Sequence, residues 1–136
     1  MQIGVDSQRA VENRRIFIVV EDEIIRAAMQ FMLHDEYEAH EFAACDAALR
    51  KAAAAPPDLV ILDAQSLAAD GIAVVDRVRQ ALPAAALLQV GELPPAAAGA
   101  ADGIGIIPLP LRVENVRAAV ADVLASTTAT AALAAF

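Results

Sequence analysis

With 136 residues the chain has the length of one domain, and we expect no separate output module within it. It carries 18 acidic and 10 basic residues, a net charge of −8. This balance argues against nucleic acid or an anionic membrane as a partner, because phosphate groups attract clustered Lys and Arg. The polar first residues do not resemble a signal peptide, no apolar run is long enough to span a bilayer, and the single Cys45 permits no internal disulfide. Together these features predict a small cytoplasmic domain.

Strand-like and helix-like segments alternate along the chain. Short β-branched or aromatic runs predict buried strands, and apolar residues at helical spacing predict amphipathic helices. The predicted strands cover residues 16–20, 37–42, 59–62, 86–90 and 104–107, and the predicted helices cover 24–33, 46–55, 72–82 and 113–123. Gly91, Pro94 and Pro95 predict that any helix between the last two strands is late, short or irregular. Asp22 is well placed to cap the first helix.

This alternation predicts the architecture. Sequential βαβ units give a parallel sheet that is covered by helices on both faces. Five strands and five helices in about 110 residues fit an α/β, flavodoxin-like, doubly wound (βα)5 fold with strand order 2-1-3-4-5, whose functional crevice lies at the carboxyl ends of the strands. We assign residues 15–125 to this domain, 1–14 to an N-terminal arm and 126–136 to a tail or a helix extension.

Acidic residues follow two of the predicted strands. Glu21 and Asp22 come directly after the first strand, and Asp63 ends the third. Taken singly, the acidic pair is explained as a helix cap and Asp63 as solvated surface. Taken together, these carboxylates converge on one rim, the carboxyl edge of the predicted sheet, where they repel one another unless a cation lies among them. Mg²⁺ suits such a rim, because it binds one or two carboxylates and completes its shell with water and phosphate oxygens.

Four segments of the chain resemble the receiver domain of two-component response regulators. They are IFIVVEDE at 16–23, PDLVILD at 57–63, the pair Asp70-Gly71, and PLRVENV at 110–116. The resemblance covers residues 15–125, nearly the whole of the predicted domain.

The resemblance implies both a reaction and a metal site. In that family a kinase histidine transfers a phosphoryl group to the aspartate that ends the third strand, which here is Asp63. The implied Mg²⁺ ligands are Asp22 directly, Glu21 through water, Asp63 itself, and the backbone carbonyl of Gln65. A carboxylate nucleophile attacks phosphorus while the metal neutralises the phosphoryl oxygens.

The positions that read out phosphorylation in that family differ in this chain. Receiver domains carry Ser or Thr at the end of the fourth strand, an aromatic residue on the fifth strand, and Lys at its end. The corresponding residues here are Val90, Ile106 and Leu109. A contact between lysine and phosphoryl is worth on the order of 1.5–3 kcal/mol, so its loss slows phosphorylation without abolishing it. Because Val90 has no hydroxyl to bond a phosphoryl oxygen, we expect the usual conformational switch to be absent.

Three functional hypotheses remain open. The first is a response regulator that a sensor histidine kinase or a phosphotransfer protein phosphorylates on Asp63, with altered signalling to an unidentified downstream protein. The second is a pseudo-receiver, an interaction module that acts independently of phosphate. Both are signalling modules and not enzymes. The third, an unrelated flavodoxin-like protein or enzyme, is disfavoured because EDEII at 21–25 replaces the Gly-, Ser- or Thr-rich loop that would hold a phosphate.

Apolar residues near the start of the last predicted helix allow two interpretations. They are Leu109, Leu111, Val113 and Val116. Either they pack the helix against the sheet, or they form a hydrophobic docking face for a partner or for a second copy of the chain.

Overall fold

The computed structural model describes residues 14–64, 72–91 and 104–134, and its elements alternate as predicted. In chain order they are strand β1 (Arg15–Val19), helix α1 (Glu23–Leu33), strand β2 (Glu38–Phe42), helix α2 (Cys45–Ala54), strand β3 (Leu59–Asp63), helix α3 (Ile72–Ala81), strand β4 (Ala86–Val90), strand β5 (Gly105–Ile107) and helix α4 (Val113–Ala134). The segment predicted to hold a short or irregular helix, 92–103, lies outside the described residues, as do Gln65, Asp70 and Gly71.

Helix α4 is longer than its apolar periodicity predicts. The periodic pattern ends at residue 123, yet the backbone stays helical to Ala134. The added turns are rich in alanine, which has the highest helix propensity of the amino acids. For residues 126–134 the backbone therefore favours the helix extension over a tail. None of the helices in the described ranges, α4 included, is long and apolar enough to cross a membrane.

The described strands form one parallel sheet in the order β2-β1-β3-β4-β5. This arrangement confirms the predicted order 2-1-3-4-5 and the doubly wound topology. The chain winds outward from β1 to β2 on one side and from β3 to β5 on the other, so the topological switch point lies between β1 and β3. The register sets Asp63, at the end of β3, opposite Val90, at the end of β4.

Two apolar layers cover the sheet, because successive side chains of a strand point to opposite faces. Helices α1 and α4 pack on one face, and α2 and α3 pack on the other. Every residue of β3 is buried, as expected of an apolar run in the middle of a parallel sheet. The largest fully buried apolar side chains are Ile16, Phe17, Ile18, Met29, Leu33, Leu59, Ile61, Leu62 and Ile107.

Candidate functional site

A pocket opens at the carboxyl edge of the sheet, where β1, β3 and β4 end. Its volume is about 200 Å³, and its described lining residues are Val20, Asp22, Ile25, Asp63, Ala64, Val90, Gly91 and Leu109. Asp22 and Asp63 are the charged side chains among them, and both are acidic. The pocket lies at the switch point of the sheet, which is where doubly wound proteins bind their ligands.

Asp63 is the buried acid of this pocket. It is the last residue of β3 and is only 6% exposed. Its Oδ2 accepts a hydrogen bond from the backbone N–H of Glu21 at 3.1 Å. A carboxylate that has lost most of its water requires such donors, and this one comes from the loop that follows the neighbouring strand. The bond therefore fixes the side chain of Asp63 relative to β1.

Asp22 has a structural role as well as a place in the pocket. It is the N-cap of α1, and its Oδ1 accepts hydrogen bonds from the N–H groups of Ile24 and Ile25 at 2.9 and 3.0 Å. This confirms the predicted cap, and the negative charge also interacts favourably with the helix dipole. Both cap bonds use Oδ1, so the cap leaves Oδ2 of the same carboxylate for another ligand.

Glu21 contributes its backbone to the site. Its N–H bonds to Asp63, and its carbonyl accepts a hydrogen bond from the guanidinium of Arg26 at 3.2 Å. The Glu21 side chain is exposed and does not line the pocket. Of the three acids predicted to share one rim, the pocket thus brings together Asp22 and Asp63.

The oxygen donors of the pocket fit Mg²⁺ held by two carboxylates. No three His, Cys, Asp or Glu side chains in the described part of the chain form a cluster that would hold a metal by themselves. Mg²⁺ does not need such a cluster, because it binds proteins through one or two carboxylates and keeps several waters. Asp22 and Asp63 supply these carboxylates, whereas Gln65, the fourth predicted ligand, lies outside the described residues.

Two of the three readout positions form an apolar wall of the same pocket. Val90 is 3% exposed at the end of β4, and Leu109 is 49% exposed beyond β5. Neither can donate a hydrogen bond or a positive charge to an anion in the pocket. Ile106 lies elsewhere, in a shallow groove between β5 and α4 that also contains Asp122.

The end of β4 is held by contacts that the sequence does not predict. Gly91 has φ of +85°, a conformation that favours glycine, and the place where a Cβ would lie is 3.4 Å from Leu109 Cδ1. Its N–H donates to the carbonyl of Ile107, and its own carbonyl accepts from the Nε2 of fully buried Gln89 at 2.8 Å. A glycine directly after a strand was the available signal for this turn.

Only part of the predicted docking face is exposed to solvent. Val116 is fully buried in the layer beneath α1 and α4, so for this residue the packing interpretation holds and the docking interpretation is wrong. The helical period directs it toward the sheet, together with Val120. Leu111 is half-buried against the same layer, whereas Leu109 and Val113 remain 49% and 41% exposed.

The displaced pKa values belong to residues outside the pocket. Hydrogen bonds from Arg15 and then His40 lower the pKa of Glu38 to about 2, at the amino end of β1 and β2. A hydrogen bond from Arg77 lowers the pKa of Asp46, and burial raises that of Tyr37. None of these three groups lines the pocket.

Solved structures share this fold. NtrX from Brucella abortus matches with a TM-score of 0.78 and 20% identity over 90% of this chain, which spans only 29% of that protein. The receiver domain of the same NtrX matches with a TM-score of 0.66 and 21% identity, covering 80% of this chain and 97% of that one. The fold is that of a response regulator receiver domain.

A chemotaxis protein supports the same assignment of the fold. CheY4 from Vibrio cholerae matches this receiver fold with a TM-score of 0.71 and 23% identity, covering 82% of this chain and 98% of that one. No protein-family model and no curated protein sequence matches the chain.

Proposed function

We propose that this chain is a response regulator receiver of two-component phosphorelay signalling, which accepts a phosphoryl group on Asp63 with Mg²⁺. The observation that carries the proposal is the pairing of buried Asp63 with Asp22 in one pocket at the switch point of a receiver fold. The donor is a sensor histidine kinase or a phosphotransfer protein, and the output is an unidentified downstream protein. As a signalling module, the chain is not an enzyme, and it acts in the cytoplasm.

The proposed chemistry gives roles to Asp63, Glu21 and Asp22. The Asp63 carboxylate attacks phosphorus, a P–O bond forms, and the P–N bond to the donor histidine breaks with its electron pair going to the imidazole. Glu21 N–H orients the carboxylate through Oδ2. Asp22 and Asp63 would hold Mg²⁺, and the resemblance to receiver domains implies Glu21 through water and the Gln65 carbonyl as further ligands. When bound, the ion supplies positive charge to the phosphoryl oxygens.

The apolar wall formed by Val90 and Leu109 supports the second part of the proposal, which is that the conformational switch is altered. A phosphoryl group shifts a conformational equilibrium only through contacts that differ between the two states. Val90 and Leu109 offer it van der Waals contact without hydrogen bonds or charge. We infer slow phosphorylation and a readout that does not use the hydroxyl, lysine and aromatic residues of ordinary receivers.

A second candidate function is supported by the same apolar wall. With no polar group at either position, the chain can act as a pseudo-receiver, an interaction module that works regardless of phosphate. Leu109 and Val113, both partly exposed, are the residues through which it would dock on a partner or self-associate as a homodimer. Replacing Leu109 and Leu111 by alanine and measuring the mass in solution tests self-association, which an unchanged mass would exclude for this face.

The decisive experiment separates the two candidates. Intact mass is measured after incubation with Mg²⁺ and a small phosphodonor for the wild type, Asp63→Asn and Asp76→Asn, whose acid is exposed on α3. We expect one added phosphoryl group in the wild type and in Asp76→Asn, and none in Asp63→Asn. An equal adduct in all three proteins would show that the acceptor is not Asp63. The lack of an adduct in every protein would favour the pseudo-receiver.

A further inference from the structure

One peptide group connects a cation to the acceptor aspartate. The carbonyl of Val20 accepts a hydrogen bond from Arg26 Nη1 at 2.8 Å. The N–H of the same peptide group, that of Glu21, donates to Asp63 Oδ2 at 3.1 Å. The guanidinium of Arg26 and the carboxylate of Asp63 are thus joined through a single peptide unit, with the positive group on its oxygen and the negative group on its hydrogen.

The surroundings of Arg26 hold it in this position. Its side chain is only 16% exposed, and its Nη1 also donates to the Glu21 carbonyl at 3.2 Å. Its Nε lies 3.5 Å from the Glu41 carboxylate, on the neighbouring strand β2. The guanidinium is therefore anchored at both ends, and two of its contacts fall on the loop between β1 and α1.

Hydrogen bonds in such a chain strengthen one another. A cation on a carbonyl oxygen draws electron density from the peptide nitrogen, which makes the N–H a better donor. In a partly buried site this polarisation is weakly screened. The effect matters at this pocket because the described lining residues include no positive side chain.

We propose that Arg26 is a positioning residue that orients and stabilises the Asp63 carboxylate through the Val20–Glu21 peptide group. The inference rests on the proposed function for its consequence, the rate of phosphorylation, but the link from Arg26 to Glu21 can be measured without it. Arg26 acts on the side of Asp63 that faces the protein, whereas the lysine of ordinary receivers acts on the side of the phosphoryl group.

The test compares Arg26→Gln and Arg26→Lys with a matched control. Arg15 has the same chemistry at the other end of β1, since it donates to the Pro56 carbonyl and pairs with Glu38, yet it has no connection to Asp63. Arg15→Gln therefore reports the general cost of losing such an arginine. If Arg26→Gln fails to fold, Arg26→Lys and Glu41→Gln are compared with Arg15→Gln in its place. Arg26→Lys keeps a cation, and Glu41→Gln removes only the ion pair that anchors Arg26.

The first readout is the amide resonance of Glu21 in ¹H–¹⁵N spectra, with Mg²⁺ and phosphodonor both left out. We expect an upfield shift of the amide proton in Arg26→Gln, partial recovery in Arg26→Lys, and no change in Arg15→Gln. A Glu21 resonance that moves no more in Arg26→Gln than in Arg15→Gln would overturn the proposal.

The second readout is the phosphorylation rate of Asp63 by intact mass. Arg26 contributes about 10–30% of the strength of a charged hydrogen bond, which limits any change in rate to about 5-fold. We expect a loss of rate within that limit in Arg26→Gln, because the Asp63 carboxylate is less firmly oriented for attack. A shifted amide with an unchanged rate would overturn the role of Arg26 in phosphorylation. If the wild type itself gains no phosphoryl group, the proposed function fails, and the amide readout alone decides whether Arg26 acts on Glu21.

Discussion

Introducing a lysine at position 109 should accelerate the proposed phosphorylation of Asp63. Leu109 lines the pocket that contains Asp22 and Asp63, and its side chain packs against Gly91. In Leu109→Lys the methylene groups retain part of that packing, while the ammonium group reaches the space above the two carboxylates. There it can bond a phosphoryl oxygen in the transition state, which neither Val90 nor Leu109 can do.

The size of the gain follows from the exposure of the site. A charge-assisted hydrogen bond is worth about 1.5–3 kcal/mol, or about 10- to 150-fold in rate. Because Leu109 is 49% exposed, water screens the new contact, and we expect the lower part of that range, about 10- to 30-fold. The assay is a time course of intact mass at fixed Mg²⁺ and phosphodonor concentrations, compared among wild type, Leu109→Lys and Leu109→Met.

The methionine variant controls for the change in shape, because it is long and flexible but uncharged. Its rate should stay close to that of the wild type. The double variant Leu109→Lys with Asp63→Asn should gain no phosphoryl group. A folded Leu109→Lys that is no faster than Leu109→Met would refute the reasoning that missing positive charge limits transfer in this pocket.

Three further predictions concern the residues around the site and the fold that supports it. Asp22→Ala should lower the free energy of unfolding by about 0.5–2 kcal/mol through loss of the α1 cap. Asp22→Asn should preserve that cap yet weaken the proposed binding of Mg²⁺, as chemical denaturation and titration calorimetry would reveal. Gly91→Ala should destabilise the fold by about 1–2 kcal/mol, because φ of +85° strains any residue with a Cβ; a thermal unfolding curve identical to the wild type would contradict this. The depressed pKa of Glu38 means that its charged form stabilises the folded state above pH 4.5, and that this contribution is lost as the pH falls toward 2. Glu38→Gln should therefore flatten the acid dependence of stability in that window, with a difference of about 0–1 kcal/mol at pH 7 because the side chain is 43% exposed. An unchanged slope in denaturation measured from pH 5 to pH 2 would count against the pairing with Arg15.

Local patterns predict most of the fold of this chain. The apolar runs that form β1 and β3 are short and each is followed by an acid, and the cap at Asp22 requires only residues of the next helical turn. The extension of α4 was harder to predict, since its alanines carry helix propensity but no apolar period. For Val116 the sequence left packing and docking both open, because a helical apolar stripe has the same spacing whether it faces the sheet or a partner.

The sequence by itself determined which segments are strands, which are helices, and that acids follow two of the strands. These features depend on backbone geometry and on side chains only a few positions apart. Only the tertiary structure decided that the Glu21 N–H meets Asp63, that Arg26 reaches the other side of the same peptide group, and that Leu109 lies over Gly91. Such contacts depend on strand order, register and the direction of α1, because groups that are separate in the chain are brought together only when the sheet is assembled.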